Sequence, residues 1–353
     1  MRVFLIVLLC SLAACDVTIE PRVPYTELDA TERSTFTSDG RLWVIGMRPN
    51  ELDELRGSLV EVVKTSNGQH MTQTLVAGTL EGTVDGRIGG APAGDPCIFS
   101  GMKAQGMRIY AGCVSPDRYR AALIEVDIAE GTVRAGYFDS CNAQPSSSPC
   151  EYTRFYPNGM SIDTDGRIYV SDMFTHLKLA DDIPTISEEG TGTIIQIVVD
   201  RAVHSPGVLK FTHHVWLVAD SAIDGVSPNG IQIDGDTLYY AAGPNINRVP
   251  IGPNGDAGAL SVHYRGAELS YIDDFCIVDG RIALARTLPP SLVAIDRPDE
   301  SGLAPELLVR DVDLRLTPSS ISYQTDVNPV FPVDTLIVTS FFGGGIYTVT
   351  VDR

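Results

Sequence analysis

Short apolar segments separated by Gly, Asp, Asn and Pro recur along the chain after residue 20, whereas a helical spacing of apolar residues is weak throughout. One clear example begins at Asn158, where Met160 and Ile162 fall on one face of a strand. Asp165-Gly166 then forms a turn, and the residues from Ile168 to Val170 return as a second strand. The pattern therefore predicts β-hairpins rather than helices.

The same hairpin pattern fits five further places, and its six starting residues are Glu32, Ser100, Asn158, Asn229, Asp274 and Ser319. The shortest interval is 45 residues, from 229 to 274 and again from 274 to 319, and the longest is 71, from 158 to 229. Each interval has room for four strands, and further apolar segments fill it: Ser58 to Val63, Ala121 to Asp127, Thr193 to Val199, Leu292 to Ile295 and Ile346 to Val351. This repeat predicts an all-β fold, a six-bladed β-propeller with four-stranded blades. A β-sandwich or a pair of β domains is the alternative, but no linker divides the chain.

The N-terminus indicates export. Met1-Arg2 is followed by an apolar run from Val3 to Leu12 that is too short for a membrane-spanning helix. The sequence Leu12-Ala13-Ala14-Cys15 resembles a bacterial lipobox, in which Cys15 is lipidated. We therefore predict a lipoprotein signal peptide at 1–14, a lipidated tether at 15–27 and the propeller at 28–353. The expected location is the cell envelope, with a lipid anchor at the periplasmic face or outer surface. A plain signal peptide cleaved near Ala14 is the alternative.

Export places the remaining cysteines in an oxidising compartment. Cys141 and Cys150 flank a loop rich in Ser and Pro, and Cys97 and Cys113 flank one predicted hairpin, so both pairs are candidate disulfides. Cys276 lies in an apolar strand, which indicates a buried free thiol.

The chain of 353 residues has a formal net charge of −19. An acidic surface repels nucleic acid, so nucleic-acid binding is excluded. A solvated acidic surface is the simplest explanation of the charge.

The first position of the repeat carries an oxygen donor in every copy. Equivalent positions of successive blades ring the central channel, so Glu32, Asn158, Asn229 and Asp274 are expected to converge there. Two carboxylates and two carboxamides suit one Ca²⁺ ion, with water completing the coordination, and suit Mg²⁺ less well. The alternative is that these residues only serve turns.

Ser227-Pro228-Asn229-Gly230-Ile231, together with Pro157-Asn158-Gly159 and Asp273-Asp274, resembles the gluconolactonase, regucalcin and paraoxonase superfamily of six-bladed propellers. The resemblance covers roughly residues 28–351 and implies Ca²⁺ binding in the channel by Glu32, Asn158, Asn229 and Asp274. Two family features are absent here, because Tyr156 replaces the Arg of gluconolactonase-like members and Ser100 replaces the catalytic His of paraoxonase-like members.

These observations predict a calcium-dependent hydrolase of the lactonase or esterase type, which acts on a small ester or lactone at the mouth of the channel. Asp274, Glu32 or His176 would activate water. The sequence contains no Gly-x-Ser-x-Gly motif of serine hydrolases. The alternative function is a non-catalytic, calcium-stabilised propeller lipoprotein that binds a ligand or protein in the cell envelope.

Overall fold

The computed structural model describes residues 18–23, 28, 30–47, 56–64, 70–115, 120–138, 155–172, 177–180, 183–186, 192–202, 206–218, 228–266, 272–278, 281–287, 290–296, 306–310, 317–324, 327, 330–341 and 345–350. Every helix or strand assigned in these residues is a β-strand. Cys15, Cys141, Cys150 and His176, which the sequence singled out, lie outside the described residues.

The described strands form six four-stranded antiparallel sheets and one small hairpin. The first strand of the chain is β1 (Thr18–Val23). Blade 1 contains β2 (Ala30–Phe36), β3 (Leu42–Met47), β4 (Ser58–Lys64) and β5 (His70–Ala77). Blade 2 contains β6 (Ile98–Gln105), β7 (Arg108–Ser115), β8 (Arg120–Asp127) and β9 (Thr132–Tyr137).

Blade 3 has a hairpin inserted between its second and third strands. Its strands are β10 (Pro157–Ile162), β11 (Ile168–Asp172), β14 (Thr193–Val199) and β15 (Phe211–Val218). The inserted pair is β12 (Leu177–Ala180) and β13 (Ile183–Ile186).

The remaining blades complete the ring. Blade 4 contains β16 (Ile231–Asp234), β17 (Thr237–Ala242), β18 (Asn245–Pro250) and β19 (Ser261–Arg265). Blade 5 contains β20 (Ile272–Val278), β21 (Arg281–Arg286), β22 (Ser291–Asp296) and β23 (Glu306–Arg310). Blade 6 contains β24 (Pro318–Tyr323), β25 (Thr335–Ser340), β26 (Gly345–Thr350) and β1.

The predicted six-bladed propeller with four-stranded blades is confirmed. The strands that begin the six repeats (β2, β6, β10, β16, β20 and β24) each contact the corresponding strand of the next blade, and β24 contacts β2 to close the ring. These are therefore the innermost strands, and they line the channel. In the first hairpins of blades 1 and 3, glycine supplies the left-handed residue that the turn needs: Gly40 has φ 83° and Gly166 has φ 82°.

Strand β1 closes the ring and corrects the predicted domain boundary. It pairs with β26, with Thr18 opposite Thr350 and Ile19 opposite Val349. The boundary predicted at residue 28 left this segment in the tether, whereas the structure makes it the outer strand of blade 6. The physical reason is that the C-terminal segment supplies only three strands, so β26 would otherwise expose an unpaired edge.

Apolar side chains fill the spaces between blades, where one buried cluster lies between each neighbouring pair. Between blades 1 and 2, for example, Trp43 and Leu59 pack with Ile109 and Ile124. Each contact is stabilised by about 25 cal/mol for every Å² of apolar surface that it removes from water. Packing between neighbouring blades thus fixes the positions of the inner strands around the channel.

Cys97 and Cys113 form a disulfide, as the sequence predicted, with their Cα atoms 5.7 Å apart. Cys276 is free and buried, also as predicted.

Loss of the disulfide between Cys97 and Cys113 should destabilise the protein. The bond closes a loop with a sequence separation of 16 residues, for which the chain-entropy model gives about 3 kcal/mol. We expect the double variant Cys97→Ala/Cys113→Ala to lose about this much free energy of unfolding in urea titrations. Cys276→Ala is the control, and an equal loss in both variants would contradict a stabilising role of the bond.

Among the described residues, none forms a helix that could cross a membrane.

Candidate functional site

Most inner strands have an irregularity in their pairing close to the residues that the sequence predicted to face the channel. The pairing of the first two strands shifts register there in blades 1, 2, 3, 5 and 6. Such bulges re-aim side chains. The residues at the irregularity are Glu32, Ser100, Asn158, Asp273 and Ser319, and in blade 4 Asn229 lies just before β16. Asp273, rather than the predicted Asp274, is thus the structural equivalent of Glu32.

Glycines allow neighbouring inner strands to approach closely at this level. A Cβ atom on Gly159 would collide with the backbone oxygen of Asn229, and a Cβ on Gly101 would collide with that of Asn158. Side-chain hydroxyls fix the same backbone, because Ser171 Oγ donates to the Asn229 oxygen at 2.6 Å and Ser100 Oγ donates to the Pro157 oxygen. The amide side chains of Asn158 and Asn229 are therefore held beside one another.

Arg33 lies at the centre of this site. Its Nη2 donates to Asn158 Oδ1 at 2.8 Å and makes a longer contact of 3.4 Å with Asn229 Oδ1. Its Nη1 lies 2.7 Å from Asp274 Oδ2, and its Nη2 lies 3.7 Å from Asp273 Oδ1. The Arg33 side chain is 3% exposed, so this is a buried ion pair with polar neighbours. One guanidinium connects blades 1, 3, 4 and 5.

The amide groups extend the network. Asn158 Nδ2 donates to Asn229 Oδ1 at 2.6 Å, and Asn229 Nδ2 donates to Asp273 Oδ1 at 3.0 Å. Because each amide both donates and accepts, its orientation is set by its neighbours. Asn158, Asn229 and Asp274 thus lie close together, as the sequence predicted. Arg33, rather than a metal ion, contacts all three of them.

Burial and the closeness of other carboxyl groups shift the pKa values of the acidic side chains. Burial, with repulsion from Asp273, raises the pKa of Glu32 to about 8. Burial also raises the pKa of Asp273 to about 6, although Arg33 opposes the shift. Burial lowers the pKa of Arg33, but attraction to Asp274, Asp273 and Glu32 outweighs that effect and raises it overall. Arg33 is therefore a permanent cation among three carboxyl groups.

The raised pKa of Glu32 predicts that stability falls as the pH rises. A carboxyl group whose pKa is higher in the folded protein stabilises it below its unfolded pKa, near 4.5, and this contribution is lost as the pH passes the folded value near 8. We expect the melting temperature to decrease across this range in the wild type and to decrease by several degrees less in Glu32→Gln. Differential scanning calorimetry at stepped pH measures this, with the exposed Glu130→Gln as control. Equal slopes of melting temperature against pH in Glu32→Gln and Glu130→Gln would contradict the raised pKa of Glu32.

Two cavities lie next to the network, one lined by Arg33 and the other by Glu32. A chamber of about 330 Å³ is lined by Arg33 and Asp274 together with Lys103, Gln232, Asp234 and Ser322, among other residues. Glu32 does not line it, but borders a separate cavity of about 20 Å³ with Tyr156 and Phe341. Only the chamber is large enough for an organic molecule.

Lys103 adds a second, half-buried cation to the chamber. Its Nζ donates to Gln232 Oε1 at 2.8 Å, and burial lowers its pKa. Cys276 also lines the chamber, and burial beside Asp274 raises the pKa of its thiol to about 12. The thiol is therefore protonated at neutral pH and is a poor nucleophile.

A larger groove of about 740 Å³ lies between the outer strands of blades 2 and 3. Its lining is mainly apolar, and its charged residues Glu81 and Lys210 are exposed. Buried, mutually perturbed charges mark a functional centre better than volume alone. We therefore take the channel as the candidate site.

The predicted calcium ion does not fit this arrangement of oxygen donors. Asn158 Oδ1 and Asp274 Oδ2 accept hydrogen bonds from Arg33, so with Arg33 in place the donor set does not fit Ca²⁺. Within the described ranges, no group of three or more His, Cys, Asp or Glu side chains could hold a metal ion. Calcium binding stays a prediction of the sequence.

Sequence reasoning did not assign Arg33, Asp273 or Lys103 to the site, although Asp273 belongs to the Asp273-Asp274 motif. The available signal was position: Arg33 follows Glu32 directly, and Lys103 lies within the second inner strand. The first position of the repeat marks oxygen donors, and the cations Arg33 and Lys103 fall outside that position.

Comparison with solved structures identifies the fold. A gluconolactonase from Xanthomonas campestris aligns over 97% of this chain and 92% of its own, with a TM-score of 0.57 and 15% identity. The fold is that of the gluconolactonase-like six-bladed propellers. A putative oxidoreductase (glucose dehydrogenase) from Thermus thermophilus aligns with a TM-score of 0.51 and 13% identity over 94% of this chain and 99% of its own. An auxiliary nutrient binding protein from Bacteroides thetaiotaomicron aligns with a TM-score of 0.53 and 8% identity over 93% of this chain and 70% of its own.

No protein-family model matches this chain. No curated protein matches its sequence either.

Proposed function

We propose that this gluconolactonase-like propeller is a hydrolase of the lactonase or esterase type that acts in the channel chamber. The observation that carries the proposal is the buried pair of Arg33 and Asp274, which lies 2.7 Å apart in the wall of a 330 Å³ chamber. Burying a charged pair is costly, and perturbed charges in a cavity are typical of functional sites. The similar gluconolactonase fold supports the reaction class.

The chamber suits a small polar substrate. Its volume falls in the range of small-molecule sites. Gln232, Asp234 and Ser322 offer hydrogen bonds, and Met102, Ile277 and Ile321 offer apolar contacts. A small ester or lactone combines these two kinds of surface.

In this proposal Arg33 provides the positive charge that a metal ion would otherwise provide. Arg33 lines the chamber, and its buried Nε has no hydrogen-bond partner among the described residues. A small movement of the side chain toward the chamber would let Nε donate to the oxygen of a substrate carbonyl. As water attacks the carbonyl carbon, negative charge develops on that oxygen and Arg33 stabilises it. Asp274 accepts the proton of the attacking water, the acyl C–O bond breaks, and the proton passes to the leaving oxygen. Glu32 borders the other cavity, so Asp274 is the better candidate base.

This proposal predicts that Asp274→Asn lowers kcat/KM by about 100-fold or more, because general-base catalysis contributes about that factor. A screen of aryl esters and of lactones with varied chain length, with and without chelator, measures it. The exposed Asp236→Asn in the adjacent hairpin is the control. Turnover that a chelator leaves intact and that Asp274→Asn abolishes would support the proposal, whereas no turnover of any substrate would contradict it.

A non-catalytic binding propeller is the second candidate. It is favoured because Asp274 and both amides are already engaged by Arg33 or by one another, which suits a rigid scaffold. The similar fold of a nutrient binding protein supports it. Saturable binding of a small molecule without turnover, weakened by Lys103→Ala in the chamber wall, would favour this function over hydrolysis.

We also propose that Cys15 carries a lipid and holds the protein at the membrane surface. Only Asp16 and Val17 separate Cys15 from β1, the outer strand of blade 6. Since an extended chain spans about 3.5 Å per residue, the anchor lies within about 10 Å of the blade. Mass spectrometry of the mature N-terminus tests this, and an unmodified terminus would contradict it.

A further inference from the structure

The position predicted for a divalent cation contains a protein cation instead. Four donors were expected to surround Ca²⁺, and three of them, Asn158, Asn229 and Asp274, lie within 3.4 Å of a guanidinium nitrogen of Arg33. Those contacts involve the side-chain oxygens that would coordinate a metal. The guanidinium and a metal ion therefore compete for the same atoms.

The need of buried carboxylates for a nearby cation supports the same conclusion. Asp273 and Asp274 lie 3.7 Å and 2.7 Å from guanidinium nitrogens, and the Asp274 side chain is 8% exposed. Buried carboxylates need a compensating cation. Arg33 provides one permanently, because a guanidinium does not lose its proton under physiological conditions.

The shape of the guanidinium group makes arginine suited to the place of a metal ion in this channel. A guanidinium has several donors in one plane and can bond several acceptors at once. Arg33 uses Nη1 toward blade 5 and Nη2 toward blades 3 and 4. It thus links the same inner strands that a coordinated ion would link.

We infer that Arg33 is the resident cation of this channel, that it excludes divalent cations in the wild type, and that its removal creates a calcium site. The inference concerns the same site as the proposed function but does not depend on turnover. It assigns the side chain of Arg33 a positioning role for Asn158, Asn229 and Asp274. It further implies that the folded protein is insensitive to chelators.

The test is calcium titration by calorimetry, together with thermal melts in calcium and in chelator. We expect no binding and no calcium-dependent shift in melting temperature for the wild type and for the control Arg41→Ala, whose side chain is 35% exposed on the hairpin of blade 1. We expect Arg33→Ala to bind one Ca²⁺ with a dissociation constant of about 10⁻⁴ M, typical of weak extracellular sites. Its melting temperature should rise with calcium and fall again with chelator.

Two results would overturn the inference. One is calcium binding by the wild type that Asp274→Asn abolishes, and the other is a folded Arg33→Ala that gains no binding. If Arg33→Ala does not fold, Arg33→Gln removes the charge while keeping much of the volume, and the wild-type titration stands by itself. Because these readouts need no substrate, they are independent of the result of the ester and lactone screen.

Discussion

Asp274→Ala should lower the free energy of unfolding by about 3 kcal/mol, because it leaves the Arg33 guanidinium buried without its nearest carboxylate. The loss should exceed that of ordinary surface substitutions, which lie within about 0.5 kcal/mol. Arg33 keeps its hydrogen bond to Asn158 and a longer contact with Asp273, so the variant should still fold. Urea titration of Asp274→Ala and of the exposed Asp236→Ala measures the difference.

A double-mutant cycle separates the ion pair from the loss of packing. Arg33→Ala removes the cation, and the double variant Arg33→Ala/Asp274→Ala removes both charges. We expect the double variant to lose less stability than the sum of the two single variants, because no buried charge is left without its partner. Strict additivity would contradict direct coupling of the two side chains.

Deletion of residues 1–23 should destabilise the propeller more than any single substitution discussed above. The deletion removes β1, whose pairing with β26 includes Thr18 opposite Thr350 and Val23 opposite Ile346. The register pairs four residues of β1 with β26. At about one hydrogen bond per pair and about 1 kcal/mol for each bond, the loss is roughly 4 kcal/mol before the exposed edge of β26 is considered. An unpaired edge also promotes aggregation. The last blade would lose the strand that joins the two ends of the chain.

The matched control for this deletion removes only residues 1–17 and keeps β1. We expect the shorter deletion to melt like the mature protein and the longer one to melt at a temperature lower by at least several degrees, or to aggregate. Size-exclusion chromatography and calorimetry measure both effects. Equal melting temperatures would contradict closure of the ring by β1.

Much of the fold could be predicted from the sequence because its pattern is local. Apolar alternation and the Asp39-Gly40 and Asp165-Gly166 turns specify hairpins through a few neighbouring residues. The six starting positions proved to lie in or next to the innermost strands, since equivalent residues of a repeat occupy equivalent places. Strand β1 could not be assigned, because its partner β26 lies more than 300 residues away in the chain.

The candidate site could be predicted only in part. The convergence of Asn158, Asn229 and Asp274 followed from the repeat, but Arg33 did not. Whether its side chain enters the channel depends on the bulge at Glu32, which shifts the register between Thr31 and Arg33. The bulge at Asp273 likewise brings a third carboxyl group into the site. Such single-residue irregularities leave no clear pattern in one sequence.

A crystal structure of the mature protein grown with millimolar calcium tests the central claim most directly. We expect density for the Arg33 guanidinium between Asn158 and Asp274, with no metal density and no anomalous signal at this position. An ion coordinated by Glu32, Asn158, Asn229 and Asp274, with Arg33 turned away from them, would contradict it.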